Sequence, residues 1–302
     1  MATRAHVAGR GRLFDRLGDQ LAAAGVPGGP GDERPVTDAE IAGLPTAVQR
    51  YLRFMGVVGR PREWSFRVRF AGRFRMRPGQ RWMRAEAWQY NSAITVARVF
   101  VLRVRLAGVL PMTGKDIYSD GHGRMLGKLL GLITVADGKG EEFDIGELTI
   151  YLNDAVLFAP SFLLRDEVRW GEVDASSFDV TLCDAGRSVK ARVFIDERGA
   201  PVDFATTDRF IDLPGGPRRA EWRTPIPAWV SANGRPVPGP AKCVWNLADG
   251  EFPYLVGRFD PDSFAFNIPP TGTRSRRKGG QHDCSVNAAT PGPPASSRLR
   301  GS

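Results

Sequence analysis

Apolar and polar positions alternate through most of this chain, and the alternation first becomes regular at Trp64. Trp64, Phe66, Val68 and Phe70 interleave with Ser65, Arg67 and Arg69; Gly72 interrupts, and Phe74 and Met76 resume. A period of two marks a strand whose faces meet different surroundings, so this run predicts a hairpin with one wet face. The next run, WMRAEAWQY, sets Trp82, Arg84, Glu86, Trp88 and Tyr90 on one face and Met83, Ala85, Ala87 and Gln89 on the other. TVARVFVLRVRL, residues 95–106, places Val96, Arg98, Phe100, Leu102, Val104 and Leu106 on one side, and DIYSDGHGRML turns at Asp120-Gly121 between short strands.

Two segments break this period. Thr37 followed by Glu40 is a helix-start box, and Val48, Tyr51, Leu52 and Met55 follow at helical spacing, which predicts a short helix or helix pair. Further on, Asp144 and Glu147 read as a capping box for an interior helix that runs to Pro160 with Leu148, Tyr151, Leu152, Ala155 and Val156 along one stripe. Strand runs then return at 168–173, 178–183, 189–195, 202–210, 220–223, 242–247 and 252–266, the last interrupted at Asp260-Pro261. Turns rather than helices join most neighbours. The expected fold is therefore mainly β (α+β): a large, strongly curved antiparallel sheet or half-barrel with one or two helices on its concave side.

Charge changes the picture only at the ends. Of the formal net charge of +9, residues 271–302 carry +5 and residues 1–36 carry +1. The C-terminal stretch is rich in Gly, Ser and Pro and holds no aromatic residue to stack on bases, so it is expected to be a disordered basic tail and not a specific nucleic-acid site. VPGGPGDERP, 26–35, reads as a linker that ends a flexible N-terminal segment, 1–36, and a single β-rich domain is expected over 37–270. No run approaches the roughly 18 apolar residues of a transmembrane helix, and no secretory signal pattern opens the chain. Three scattered cysteines, Cys183, Cys243 and Cys284, suit a reducing compartment, so the expected location is cytoplasmic.

The strong catalytic motifs are absent from the chain: there is no phosphate-binding Walker loop, His-Glu-x-x-His, Gly-x-Ser-x-Gly or Cys-x-x-Cys. Gly121-His122-Gly123 with Gly127 has its last glycine one place late for a dinucleotide loop and reads as a hairpin. With His6, His122 and His282 as its only histidines, the chain assembles no histidine metal site, and neither a metal nor a cofactor is expected. Carboxylates are the remaining chemistry. Glu147, Tyr151 and Asp154 fall on one side of the interior helix, and a carboxylate buried there would have the raised pKa that suits acid or base work. Arg84 and Glu86 share a strand face with three large rings, which predicts either core with a paired charge or the wall of a cavity.

GEEFDIGELTIYLNDAVLFAPSFLL, together with DIYSDGHGRML, WGEVDASSFDVTL, RGAPVDFATTDRF and VWNLADGEFPY in the same order, resembles a family of bacterial proteins known as a domain of unknown function, whose actinobacterial members share a YLND-x-VLFAPS segment. The resemblance spans about residues 42–270 and implies no activity or cofactor. By strand pattern that family is similar to half-barrel lipoprotein carriers and related lipid binders, an analogy of fold.

These readings converge on binding of an apolar or amphipathic small molecule at Trp82, Arg84, Glu86, Trp88, Tyr90, Tyr151 and Asp154, with the interior helix packed on the ring-rich strand face so that all border one cavity. Two alternatives stand beside it. One is a cofactor-independent lyase, isomerase or hydrolase using Asp154 or Glu86 with Tyr151 and an arginine such as Arg84, Arg98 or Arg209; the other is a structural or interaction module without a ligand. The sequence leaves the oligomeric state open.

Overall fold

A computed structural model describes residues 17–270, with residues 19, 107 and 214 left aside. After helical residues at 20–23, two short helices lead into the sheet. Thr37 caps α1 (Asp38–Ile41) through the reciprocal bonds with Glu40 that the sequence predicts, and α2 (Thr46–Phe54) buries Ala47, Val48, Tyr51 and Leu52. The alternating segments then form six strands in a meander: β1 (Ser65–Phe74), β2 (Met83–Ser92), β3 (Ala97–Leu106), β4 (Leu110–Ser119), β5 (His122–Leu129) and β6 (Ile133–Lys139). The helix α3 (Glu141–Phe158) follows, and the chain returns to strands in β7 (Val168–Asp174), β8 (Ser177–Asp184), β9 (Arg187–Ile195) and β10 (Pro201–Thr206).

The remainder alternates small hairpins with sheet strands. Among the described residues β11 (Phe210–Leu213) pairs only with β12 (Gly216–Arg219), and β14 (Trp229–Ala232) only with β15 (Arg235–Pro238). Between and after them, β13 (Glu221–Arg223), β16 (Pro240–Leu247), β17 (Gly250–Phe259) and β18 (Ala265–Phe266) join the main sheet. That sheet has 14 strands, ordered β6-β5-β4-β3-β2-β1-β17-β16-β13-β10-β9-β8-β7 with β18 also on β1, and every pairing in it is antiparallel. The antiparallel, β-dominated fold agrees with the sequence pattern.

α3 runs from one edge of the sheet to the other in sequence, and the sheet curls around it. It touches β3 to β6 on one arm and β9 on the other. The two arms meet beyond it: the Tyr118 hydroxyl donates to Asp184 Oδ2 at 2.7 Å, and Arg187 Nη1 donates to the Gly121 carbonyl at 2.9 Å. Encased in this way, α3 is buried nearly all round, from Leu148 to Phe158 with Ile150 alone half-buried, and no single apolar stripe accounts for it. The fully buried rings of Phe66, Tyr151, Phe162, Phe178, Phe204 and Trp222 fill the space between helix and sheet.

Three expectations need correcting. α3 begins one turn earlier than Asp144, at Glu141 after Gly140; Asp144 is no cap but turns away to accept from the Gly123 amide at 2.7 Å and to pair with Arg187 at 2.6 Å. Residues 133–139, left without an element by the sequence reading, pair with β5 as an edge strand. The described part of segment 1–36 is packed rather than flexible: Leu17, Leu21 and Val26 are buried in one cluster with Trp88, Tyr90, Ala97 and Val99 on the convex face of the sheet. That apolar triad lies in a stretch whose Gly and Pro content dominates a composition reading. The expectation for 271–302 falls outside the described residues.

Candidate functional site

The concave face is set by register. β1 turns Phe66, Val68, Phe70, Gly72 and Phe74 toward α3 and the space beyond it, and pairing carries the same face through Asn91, Gln89, Ala87, Ala85 and Met83 of β2. Continuing across, Asn91 lies opposite Arg98 and Arg98 opposite Tyr118; one row further out, Gln89 lies opposite Phe100 and Phe100 opposite Asp116. The face is polar under the helix and apolar beyond it.

Glu147 and Asp154, two turns apart on α3, both reach down to Arg98. Arg98 Nη1 lies 3.0 Å from Glu147 Oε2 and its Nε lies 2.7 Å from Asp154 Oδ2. The same Asp154 oxygen accepts from Gln89 Nε2 at 2.6 Å and Asn91 Nδ2 at 3.3 Å, and the two amides bond each other at 3.0 Å. Arg98, Glu147 and Asp154 are each at most 5% exposed. Burial of charge is costly unless opposite charge and donors surround it, and here they do. Burial raises the pKa of Asp154 against the pull of Arg98 and the amides, and burial together with the charge of Asp116 pushes Glu147 up to about 8. Burial opposes the charge of Arg98, yet Asp154, Glu147 and Asp116 outweigh it and raise its pKa.

The cluster continues toward open space. Asp116, on the next row, is surrounded deeply enough for burial to raise its pKa, yet it keeps an accessible face. The Arg209 guanidinium lies 4.5 Å from the Trp222 ring centroid and 5.3 Å from that of Trp245, and it donates to the Tyr254 hydroxyl at 3.3 Å, as does Trp222 Nε1 at 3.1 Å. Among the described residues, the buried Nε of Arg209 has no acceptor. Cys243 stands nearby, its thiol pushed up to about 12 by burial, and it is unpaired.

Beyond these groups the concave face is an apolar shelf. Met83, Ala85 and Val104 form a cluster separate from the main core, with half-buried Phe74, Leu102, Leu106 and Met112 packed on it. Gly114, in the middle of β4, bears no side chain there, and a Cβ built on it meets only the Leu102 Cβ, at 3.8 Å. The arrangement is amphipathic: charged groups where the helix closes the trough, apolar walls where it opens.

The residues singled out from sequence divide between the two faces. Asp154 and Glu147 converge with Arg98, and Arg209 borders them. Tyr151 does not join them; its hydroxyl donates to the Ser92 carbonyl at 3.0 Å and its ring stacks on Phe162. Trp88 and Tyr90 are on the convex face, so the expected common cavity with Asp154 does not form. Trp88 instead lines a separate cleft of about 310 Å³ with Leu17, Arg103, Lys115 and Lys128, and the Tyr90 hydroxyl donates to the Ile268 carbonyl at 2.9 Å. Arg84 and Glu86 are exposed on that convex face, and Trp82 lies outside β2 with Arg75 4.5 Å over its ring. Three rings on a strand face demand cover, but the N-terminal segment supplies it for Trp88 and Tyr90, leaving the helix free to pack on the opposite face. Gln89 and Asn91 carried the overlooked signal: two amides at alternate positions on a face otherwise built of Met and Ala need buried polar partners. Asp116 and Tyr254 had no such local mark.

Residues 34–257 match the model of a family of unknown function, DUF6544. The chain belongs to this family. No curated protein matches it. Among solved structures, this DUF6544 chain is similar to a DUF1329 family protein from Desulfovibrio piger ATCC 29098, with 11% identity and a TM-score of 0.42 over 73% of this chain and 91% of the other. It is also similar to a putative outer membrane lipoprotein-sorting protein domain from Vibrio parahaemolyticus, with 8% identity and a TM-score of 0.37 over 67% and 85%. Neither likeness is close enough to carry an argument about what a DUF6544 protein binds. Among the described residues no helix is long and apolar enough to cross a membrane, and no group of acidic, histidine and cysteine side chains is placed to hold a metal ion.

Proposed function

We propose that the concave face binds an amphipathic small molecule, its apolar part on the shelf of Phe74, Met83, Ala85, Leu102, Val104 and Met112 and its polar group at Arg209, Asp116 and the Glu147–Arg98–Asp154 cluster. The observation that carries this reading is the meeting of the half-buried apolar side chains of Phe74, Leu102, Leu106 and Met112 with a half-buried Arg209 whose buried Nε lacks an acceptor. A buried donor left unpaired is costly, and a carboxylate, sulfonate or phosphate oxygen entering from the trough would satisfy it. We place this activity in the cytoplasm, a reading supported by the unpaired Cys183 and Cys243.

The test is binding of anilinonaphthalene sulfonate, an anionic amphiphile, to the full-length protein. Gly114→Phe fills the trough from a position with room for a side chain, and Arg209→Met removes the donor; both are expected to lower probe affinity at least about tenfold while the far-ultraviolet spectrum is kept. Trp88→Ala, on the convex face, is expected to leave affinity unchanged. Equal affinity in all four proteins would reject the reading.

A cofactor-independent enzyme is the second reading, favoured by Glu147, which is held protonated near neutral pH beside a second carboxyl at Asp116. Turnover of a bound ligand that Glu147→Gln abolishes without weakening binding would separate it from a carrier.

A further inference from the structure

Four hairpin connections lie at the open end of the trough, and three of them share a chemistry that the small-molecule reading does not use. The β3–β4 and β5–β6 turns present Val109 at 70%, Leu130 at 49%, Leu132 at 82% and Ile133 at 57% exposure, and Met76 beside the β1–β2 turn is exposed at 47%. The turns are neighbours, since their strands are paired in order and the Leu130 amide donates to the Pro111 carbonyl at 2.9 Å. A soluble surface rarely groups large apolar side chains in this way without a partner.

Charge around these three turns is positive, while the fourth turn, between β16 and β17, carries Asp249 and Glu251. The stretches 72–85, 99–115 and 121–136, which build these turns and their flanking strands, contain five, three and two Arg or Lys residues and no Asp or Glu. Arg77, Arg81 and Arg105 are exposed close to the turns. A second copy of the same face would set these cations against one another, whereas a surface of anionic lipid would accept the apolar tips into its headgroup region and pair with the cations around them.

The backbone supplies an independent sign. Four turns have two successive residues in the left-handed region: the two-residue turns Asp120-Gly121, Ala185-Gly186 and Asn233-Gly234, and Leu130-Gly131 within the three-residue β5–β6 turn. Asp and Asn tolerate that conformation; Ala185 and Leu130 adopt it at a steric cost, and of these two Leu130 is a large apolar side chain left 49% exposed. A residue kept against local backbone preference points to a use outside the fold.

We propose that the open end of the trough docks on an anionic membrane surface, with the β3–β4 and β5–β6 turns inserted to headgroup depth and the flanking arginines and lysines on the lipid phosphates. The full-length protein is sedimented with phosphatidylcholine vesicles with and without phosphatidylglycerol. It should bind the anionic vesicles more tightly, with affinity falling as salt rises. Because the basic segment 271–302 is retained in every protein compared, its contribution cancels. Leu130→Asn combined with Leu132→Ser should lower partitioning at least about tenfold, and Leu130→Asn alone should raise the melting temperature while weakening binding, a pairing that a merely structural role would not produce. Arg77→Gln with Arg81→Gln should flatten the salt dependence. Partitioning unchanged in the leucine variants would overturn the proposal, as would a wild-type dimer in sedimentation equilibrium that those variants dissociate with no loss of vesicle binding. Binding of anilinonaphthalene sulfonate without vesicles is expected to be the same in the turn variants and the wild type, so failure of membrane docking and failure of the small-molecule site are read separately.

Discussion

Arg98 and Asp154 are joined by a 2.7 Å bond from Nε to Oδ2, and that bond pins the middle of the buried helix to the third strand. Because Arg98 serves Glu147 as well, its removal leaves Asp154 buried without its counter-charge and Glu147 without its donor. Arg98→Met is expected to cost about 3–5 kcal/mol in urea unfolding. Adding Asp154→Leu and Glu147→Gln to the same protein should restore most of it; a triple variant less stable than the single one would refute this account.

Glu147 sets a pH dependence of definite sign. Its pKa is raised from about 4.5 to about 8 in the folded protein, so between those values the native state holds a proton that the unfolded chain has lost. Stability from this group is present in full below about 4.5 and falls as pH rises to about 8, on the order of a few kcal/mol in all. Asp116 and Asp154 act in the same direction and Arg98 and Arg209 against it, so the measurement is the difference between wild type and Glu147→Gln across that window. The variant should show the shallower profile.

Tyr118 is the clasp between the two arms. Its hydroxyl is buried and bonded to Asp184, and Tyr118→Phe removes that bond while keeping the ring. The expected loss is about 1 kcal/mol. Hydrogen exchange should show the change first in β4 and β8, and protection unaltered there would argue that Arg187 alone holds the arms together.

Two glycines on neighbouring strands should respond in opposite ways. A Cβ on Gly123 would overlap the backbone of Phe143 and Asp144 at the start of α3, whereas one on Gly114 faces open trough. Gly123→Ala is expected to cost roughly 1–3 kcal/mol, and Gly114→Ala to be neutral or to stabilise by some tenths. Thermal melts of the two variants decide it.

Most strands of the main sheet, the capping box at Thr37 and the face shared by Arg98, Phe100, Leu102 and Val104 were legible because local periodicity determines them; β6 and the short hairpins at 210–219 and 229–238, with little alternation, were not. So was the convergence of Glu147 and Asp154 on one side of the helix. What could not be read is which face of β2 the helix covers. Alternation says that two faces differ, but the choice depends on the N-terminal Leu17, Leu21 and Val26, which cover Trp88 and Tyr90 from about 70 residues away in sequence. Asp116 and Arg209 become neighbours of the cluster only through the curl of the sheet, which local pattern does not encode.

The order of strands has a consequence for biosynthesis. β1 finds its second neighbour in β17, with Phe70 opposite Phe259, so almost the whole domain must leave the ribosome before that seam closes. Until then the first meander stands with one edge of β1 bare and its concave face uncovered except by α3, a template for strand addition by another nascent chain. Closure should then be slow, as it is for contacts so distant in sequence. During that interval a chaperone able to shield a single sheet edge would decide between the native half-barrel and aggregation.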